Sequence, residues 1–424
     1  MTDESKGFIR CSMVLLVTST IAAVIHYTFQ FGMGRLLGPA DYSILAAFFS
    51  ILYIVQAPVQ AVQLTLTKFI AEFKAKNDFS TIKHLLMRST LKVFWVSIAV
   101  FLVFVIFSRQ ISDFLNISQI TTTISFSFIF LGFFVLPGVR GFLQGLQKFR
   151  ALGTNLIIES VTKLGLSLIL VLFFGFGVAG AVWGTNISIF LAFFLALALL
   201  FAMFRKYSSK ELDHTKKLEI YAYSIPMLVA LLAITALYSV DVILVKHFFA
   251  ASEAGIYAAA SLVAKIIFIG LMPVSNAMFP KVAELNAKSQ NSSGVFAKSL
   301  AIVIGLAALV TAVYCFMPSF VDKLLFGPDY AAAVPLIGLF GIAISLLSVS
   351  YVFVNYYLAL GKTRFVYVLP IFTLAEAILV WFWHSTMYQV LMLITAVMTV
   401  LLLTLSLLYF VNKNENINNN SSIQ

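Results

Sequence analysis

The chain has 424 residues, of which 61% are apolar and 11% charged, with a mean hydropathy of +1.00. A soluble domain carries about 25% charged residues, so the composition excludes a soluble enzyme. The net charge of +11 does not indicate nucleic acid, because the basic residues fall between apolar runs on one side; Cys11 and Cys315 are too few, and too apolar in context, for a disulfide framework or a metal site.

The apolar runs are each about 20 residues long, enough to cross a hydrocarbon core of roughly 30 Å as a helix. In chain order the predicted spans are 11–33, 44–66, 92–108, 120–137, 155–174, 178–204, 220–243, 255–275, 298–317, 334–356, 366–384 and 387–411. The first is read as a retained span rather than a signal peptide: Lys6 and Arg10 precede an apolar run that continues to Met33 without a small-residue cleavage site. The alternation of a membrane β-barrel is absent. The expected fold is therefore an all-α polytopic membrane protein of twelve helices.

Charge placement tests that count. With the N-terminus in the cytoplasm, 22 of the 28 Lys and Arg residues fall on the cytoplasmic side, and Arg35, Arg109, Lys246 and Lys323 fall outside. Lys163 and Lys265 lie within spans. Both termini are expected in the cytoplasm. Trp183, Trp381 and Trp383 near predicted outer ends, with Trp95 near an inner end, suit an aromatic belt.

The chain also repeats. Residues 34–73 are echoed at 252–285: Asp41-Tyr42-Ser43-Ile44 aligns with Glu253-Ala254-Gly255-Ile256, Ala71-Glu72 with Ala283-Glu284, and Pro58 with Pro273. A third match pairs residues 143–148 with 358–363. Internal repeats at a near-constant offset are a transporter signature. Six spans per repeat is an even number, so the halves enter the bilayer in the same direction, related by a pseudo-twofold axis along the membrane normal with a central cavity between the lobes. The expected domains are an N-terminal lobe, 1–204; a cytoplasmic linker, 205–218; a C-terminal lobe, 219–411; and a polar, disordered cytoplasmic tail, 412–424.

The stretches GRLLGPADYSILAAF, RGFLQGLQKFRALG (140–153), VDVILVKHFFAASEAGIYAAASLVAK (240–265), FPKVAE (279–284), LLFGPDYAAAVPLI (324–337) and NYYLALGKTRF (355–365) resemble the polysaccharide-biosynthesis flippases. That family moves lipid-linked oligosaccharides, and its superfamily also holds the multidrug and toxin extrusion antiporters and the lipid II flippases. The resemblance covers most of both halves and marks the superfamily better than the substrate. It implies alternating access between two lobes of six helices, a bacterial or archaeal cytoplasmic membrane, and a cationic central cavity for an undecaprenyl-diphosphate-linked oligosaccharide. Polysaccharide polymerase and glycosyltransferases are the implied partners, beside membrane lipids.

Charges inside a bilayer are costly and by default point to function. Lys265 lies about ten residues, or roughly 15 Å, into the eighth span, where it lines the cavity for the diphosphate, snorkels, or pairs with a structural carboxylate. Glu159 and Lys163 stand four apart on one face of the fifth span. They form either a self-neutralising pair or a site where an arriving phosphate takes Lys163 and frees Glu159 for a proton or sodium ion. Glu376, near the middle of span eleven, has no partner four residues away, and is read as a hydrogen-bonded neutral carboxyl or a coupling-ion ligand. Asp241, near the outer end of span seven, is an interfacial residue or an outer gate charge and cation ligand. Gln56, Gln60 and Gln63 share one face of span two, continued by Tyr53, with His26 and Gln30 one turn apart on span one. They bond neighbouring helices or line a wet path for sugar hydroxyls. Pro58 and Pro273 kink matched helices, for packing or for gating.

No catalytic or Walker motif appears, so no cofactor is expected. Transport would run on Na+ or H+ coupling, on the membrane potential, or on consumption of the substrate. A cation-coupled multidrug exporter is the alternative within transport; a membrane enzyme or scaffold of polysaccharide assembly is the alternative outside it.

Overall fold

In the computed structural model, residues 3–208, 228–288, 290–361 and 367–421 are described. The predicted linker 205–218 lies largely outside them, as do the first residues of the predicted seventh span and Lys362 and Arg364. The chain divides into two units, Met1–Leu228 and Val229–Gln424.

The first unit begins with α1 (Asp3–Ala75), whose 73 residues would extend about 110 Å if straight. That is far more than a bilayer core of about 30 Å, and the helix is interrupted at Gly38, where φ is 72° and ψ is 171°. Only glycine adopts this backbone without steric cost. Pro39 follows, pre-set in φ for the first turn of a new helical segment. The GRLLGPADY stretch is thus the joint between the first two spans. There follow α2 (Phe79–Ile106), α3 (Ser108–Phe114), the broken series α4 (Ile120–Ser127), α5 (Ile129–Phe133) and α6 (Val135–Gly145), then α7 (Phe149–Leu168) and α8 (Gly177–Phe204).

Residues of α1, α2, α6 and α8 build the core of this unit, including Ile70, Ile82, Leu86, Phe142, Leu143, Ala192 and Leu200. The RGFLQG stretch explains how α6 meets α1. A Cβ at Gly141 would lie 2.8 Å from the Gln63 carbonyl oxygen, and one at Gly145 would lie 2.7 Å from both Ile70 Cβ and the Thr67 carbonyl oxygen. Two glycines four apart let the backbones approach, as small residues do between membrane helices. Asn155 Nδ2 donates to the Ala192 carbonyl at 2.7 Å and ties α7 to α8.

The second unit runs α9 (Leu228–Leu237), α10 (Val240–Phe248), α11 (Ala251–Ala287), α12 (Ser293–Phe316), α13 (Pro318–Leu325), α14 (Val334–Ala359), α15 (Val368–Phe382) and α16 (Met387–Ser421). Its packing centres on α11 against α14, with α12 and α16 alongside α14. Tyrosine hydroxyls cross between helices: Tyr314 donates to the Val263 carbonyl at 2.9 Å, and Tyr357 to the Leu405 carbonyl at 2.9 Å.

Among the described residues, nine helices are long and apolar enough to cross a membrane. One of these is the interrupted α1, which supplies two spans. The pair α9–α10, bent by 41°, passes the same test when joined, and α15 is a shorter apolar helix of 15 residues. The arrangement is consistent with the expected twelve. Helical backbone continues in α16 to Ser421, through the stretch expected to be a disordered tail. Pro58 and Pro273 both lie inside helices that continue on either side of them, and the non-helical backbone in α1 is at Gly38, twenty residues earlier than Pro58.

Candidate substrate and ion sites

The first unit holds a cavity of about 390 Å³ walled by α1, α6, α7 and α8. Its polar lining is Ser19, Gln56, Gln63, Arg140, Gln144 and Glu159; Leu136, Pro137, Leu152 and Ile189 are among the apolar residues. Two of the three glutamines expected to share a wet face therefore meet this space. Gln63 Nε2 donates to Gln144 Oε1 at 3.2 Å, an amide pair that fixes both side chains toward the cavity. Gln60 is half-buried and outside the lining.

Arg140 is one of the residues that sequence reasoning misplaced, as is Lys246, expected in an outer segment and buried in α10. The position of Arg140 between runs gave it to a cytoplasmic loop, whereas it is buried in α6. Its Nε donates to Asn155 Oδ1 at 2.8 Å and its Nη2 pairs with Glu159 Oε2 at 2.5 Å. The expected Glu159–Lys163 pair is corrected accordingly: Glu159 takes its bond from Arg140 on the neighbouring helix. A planar guanidinium can bridge an amide and a carboxylate at once, which an ammonium one turn away on the same helix cannot.

Lys163 is buried on α7 and its Nζ bonds His26 Nδ1 on α1. The ammonium lies 4.9 Å from the centre of the Phe29 ring and 6.0 Å from that of Phe49, within reach of both π faces. As the ammonium only donates, His26 accepts at Nδ1 and carries its proton at Nε2. Nε2 then faces Tyr53 Oη at 3.4 Å, and Gln30 Nε2 donates to the same oxygen at 3.4 Å. Tyr53, His26, Gln30 and Lys163 thus form one network across α1 and α7, behind the cavity rather than in its lining.

The second unit gathers three charges that the sequence kept apart. Asp241 (α10), Lys265 (α11) and Glu376 (α15) are each buried and within Coulombic reach of one another. Tyr257 Oη donates to Asp241 Oδ2 at 3.1 Å, and the Lys265 ammonium lies 5.7 Å from the centre of the Tyr238 ring. Glu376 is wholly inaccessible, and neither of its carboxyl oxygens has a hydrogen-bond partner among the described residues. The expected hydrogen-bonded carboxyl is corrected on that point. Asp241 is 3% exposed, so the interfacial placement is corrected too. Asp241 stands in the first turn of α10, just past a 41° bend from α9. Among the described residues no group of three or more His, Cys, Asp or Glu forms a metal centre.

A bundle of bilayer-length helices with polar clusters buried in each unit defines a multi-pass membrane protein of transporter architecture. The chain matches the polysaccharide biosynthesis protein family over residues 8–286, and it belongs to that family. A curated relative, an uncharacterized membrane protein of Methanocaldococcus jannaschii, is 26% identical over 245 residues, 53% of this chain and 53% of that protein. The match thus spans about half the length of that relative. Among solved structures, an inward-facing multidrug resistance MATE family transporter of the MOP superfamily superposes with a TM-score of 0.76 at 14% identity, covering 92% of this chain and 96% of that one. A MOP superfamily transporter from Pyrococcus furiosus, described as having a binding pocket of reversed polarity, gives 0.64 at 14% identity over 94% and 93%. A eukaryotic MATE transporter gives 0.67 at 15% identity over 95% and 96%. These likenesses establish the MATE-like fold.

Proposed function

We propose that the protein is a flippase carrying an undecaprenyl-diphosphate-linked oligosaccharide from the inner to the outer leaflet of the cytoplasmic membrane, with both termini cytoplasmic, for surface polysaccharide synthesis. The observation that carries this reading is the cavity of the first unit, where three glutamine amides and an arginine face one space of about 390 Å³. Amides satisfy sugar hydroxyls, and a guanidinium matches the geometry of phosphate oxygens. Arg140, Lys163 and Glu159 together leave a formal charge of +1 in that unit. An uncompensated buried charge is costly, and an anionic head group relieves it.

The buried cluster of the second unit differs. Lys265 with Asp241 and Glu376 sums to a formal charge of −1, which a proton or Na+ would neutralise, and Lys246 is also buried on the helix of Asp241. Asp241 and Glu376 are accordingly the coupling-ion ligands of this reading, and Lys265 is their internal cation rather than a phosphate contact. The same cluster favours the second reading, cation-coupled export of a multidrug type, since a cationic drug would also seek it.

Reconstituted proteoliposomes loaded with a fluorescent lipid-linked oligosaccharide separate the two. The flippase reading expects sugar to become accessible to an external oxidant or lectin, with the ion dependence of the rate lost in Glu376→Gln. Export of a lipophilic cationic dye without movement of the sugar would overturn it.

A further inference from the structure

Glu159 stands between two cations. It bonds Arg140 across the helix interface and sits four residues before Lys163 on its own helix, close enough to act on the ammonium electrostatically. Lys163 is meanwhile held by His26 of α1. Arg140 and Glu159 both border the cavity; Lys163 and His26 do not. An anion that enters the cavity therefore competes with Glu159 for the same guanidinium.

We propose that Glu159 is an exchangeable internal counter-ion, paired with Arg140 when the cavity lacks an anion and with Lys163 when an anion holds Arg140. The inference rests on the reading of this cavity as a head-group site, and adds to it a route by which occupancy is felt on another helix. No covalent bond changes. The Glu159 carboxylate leaves one guanidinium for an ammonium one turn along α7, and Lys163 gives up its bond to the His26 imidazole. His26 is then released from α7, together with the Tyr53 contact that its ring orientation sets.

The contact between α1 and α7 is tight enough to register this release. A Cβ at Gly153 would lie 2.2 Å from Thr18 Oγ1, so the two helices touch backbone to side chain about three turns from Lys163. Charge accounting also favours the exchange. Leaving Glu159 without a cation once the ligand has taken Arg140 would strand a partly buried carboxylate. Lys163 supplies the replacement cation at the i+4 position, where such pairs form on helices. The ligand group is an oxyanion, either the diphosphate of a lipid carrier or the carboxylate of an acidic sugar.

The test is binding of two probes, farnesyl diphosphate and a glucuronate-containing tetrasaccharide, to the full chain in nanodiscs. Lys163→Met removes the second partner of Glu159 and should weaken binding of the recognised anion about 5-fold or more, the scale of a typical coupling between sites. His26→Phe removes the competitor for Lys163, and should tighten it by a similar factor, whereas His26→Gln keeps an acceptor and should bind as wild type. Glu159→Gln should tighten binding and make the Lys163 substitution silent in the double variant. Should His26→Phe fail to fold, the Lys163 and Glu159 single and double variants complete the test without it.

Affinities unchanged by Lys163→Met and His26→Phe, with wild-type binding of farnesyl diphosphate intact, would overturn the exchange and leave the head-group reading standing. The expected pattern with glucuronate alone would support the exchange and remove the lipid diphosphate from the site. Binding of neither anion by the wild type would remove the head-group site and the exchange with it.

Discussion

Replacing Arg140 by methionine tests the charge network at its centre. Methionine keeps most of the side-chain length and removes the guanidinium, so the loss reports the polar contacts more than the packing. The pair is mostly buried, with 11% of the Arg140 side chain and 21% of the Glu159 side chain exposed. Removing one partner of a buried ion pair costs about 3–5 kcal/mol, because the other charge is left uncompensated. Two features lower that figure here. Glu159 faces a cavity large enough to admit water, which hydrates part of the stranded carboxylate. Asn155 keeps its bond to the Ala192 carbonyl, so the α7–α8 tie survives. The expected destabilisation is about 2–3 kcal/mol. Glu159→Gln should cost less, about 1–2 kcal/mol, since the amide oxygen still accepts from Arg140. The double variant should then be more stable than the sum of the two predicts, with about 1 kcal/mol or more of coupling. Reversible unfolding by SDS in mixed micelles, followed by tryptophan fluorescence, supplies the three differences. Strict additivity would refute the pairing, and with it the account of Arg140 as an interior residue.

Further outcomes follow from single sites. Asp322 on α13 is buried beneath the turn that follows it, with Oδ1 lacking a hydrogen-bond partner, and burial lifts its carboxyl from 3.8 to about 6. A carboxyl that holds its proton more tightly when folded contributes stability that is lost as pH rises through about 4 to 6. Unfolding midpoints of wild type should fall across that window and those of Asp322→Asn should not. Gly153→Val should destabilise by more than about 2 kcal/mol through overpacking against Thr18, and Thr18→Gly in the same chain should recover part of the loss in the same assay. A cysteine at exposed Lys288 should react with an impermeant maleimide from the cytoplasmic side of inverted vesicles and not from the outside of intact cells; external labelling would break the topology.

The helices were legible because a bilayer imposes a length on each apolar run, and runs such as 178–204 and 298–317 recur as α8 and α12. Lateral contacts were less legible. The four-residue spacing correctly placed Glu159 and Lys163 on one face of α7, but it carried no information on what the neighbouring helix presents to that face. Arg140 presents itself there, and its position at the end of an apolar run made it look like a loop residue. The signal that was available is the pair of glycines at 141 and 145, spaced as helix–helix contacts are; a close-packed stretch is a poor candidate for a solvated loop. The same limit applied to Asp241, Lys265 and Glu376. Lys265 and Glu376 were identified as intramembrane charges and Asp241 as one near the outer end of a span, yet they lie on three helices, and no local period links residues 24 and 111 positions apart.

The repeat itself does link them, across the two halves of the sequence. Asp241 lies 215 positions after His26, and Glu376 lies 217 after Glu159 and 213 after Lys163, all near the offset that pairs Pro58 with Pro273. Lys265 falls 212 after Tyr53, the offset that pairs Asp41 with Glu253. Offsets of 212 to 217 thus pair spans one, two and five of the first copy with the spans that carry Asp241, Lys265 and Glu376 in the second. Interior polar residues are retained in a bilayer only where they are satisfied or used. A duplicated bundle offers two such interiors, and their buried charges differ: Arg140 and Lys163 in the first unit, and Asp241, Lys246, Lys265 and Glu376 among those in the second. An exchange of charge type between matched positions, such as Asp241→His, would carry the second unit toward the balance of the first.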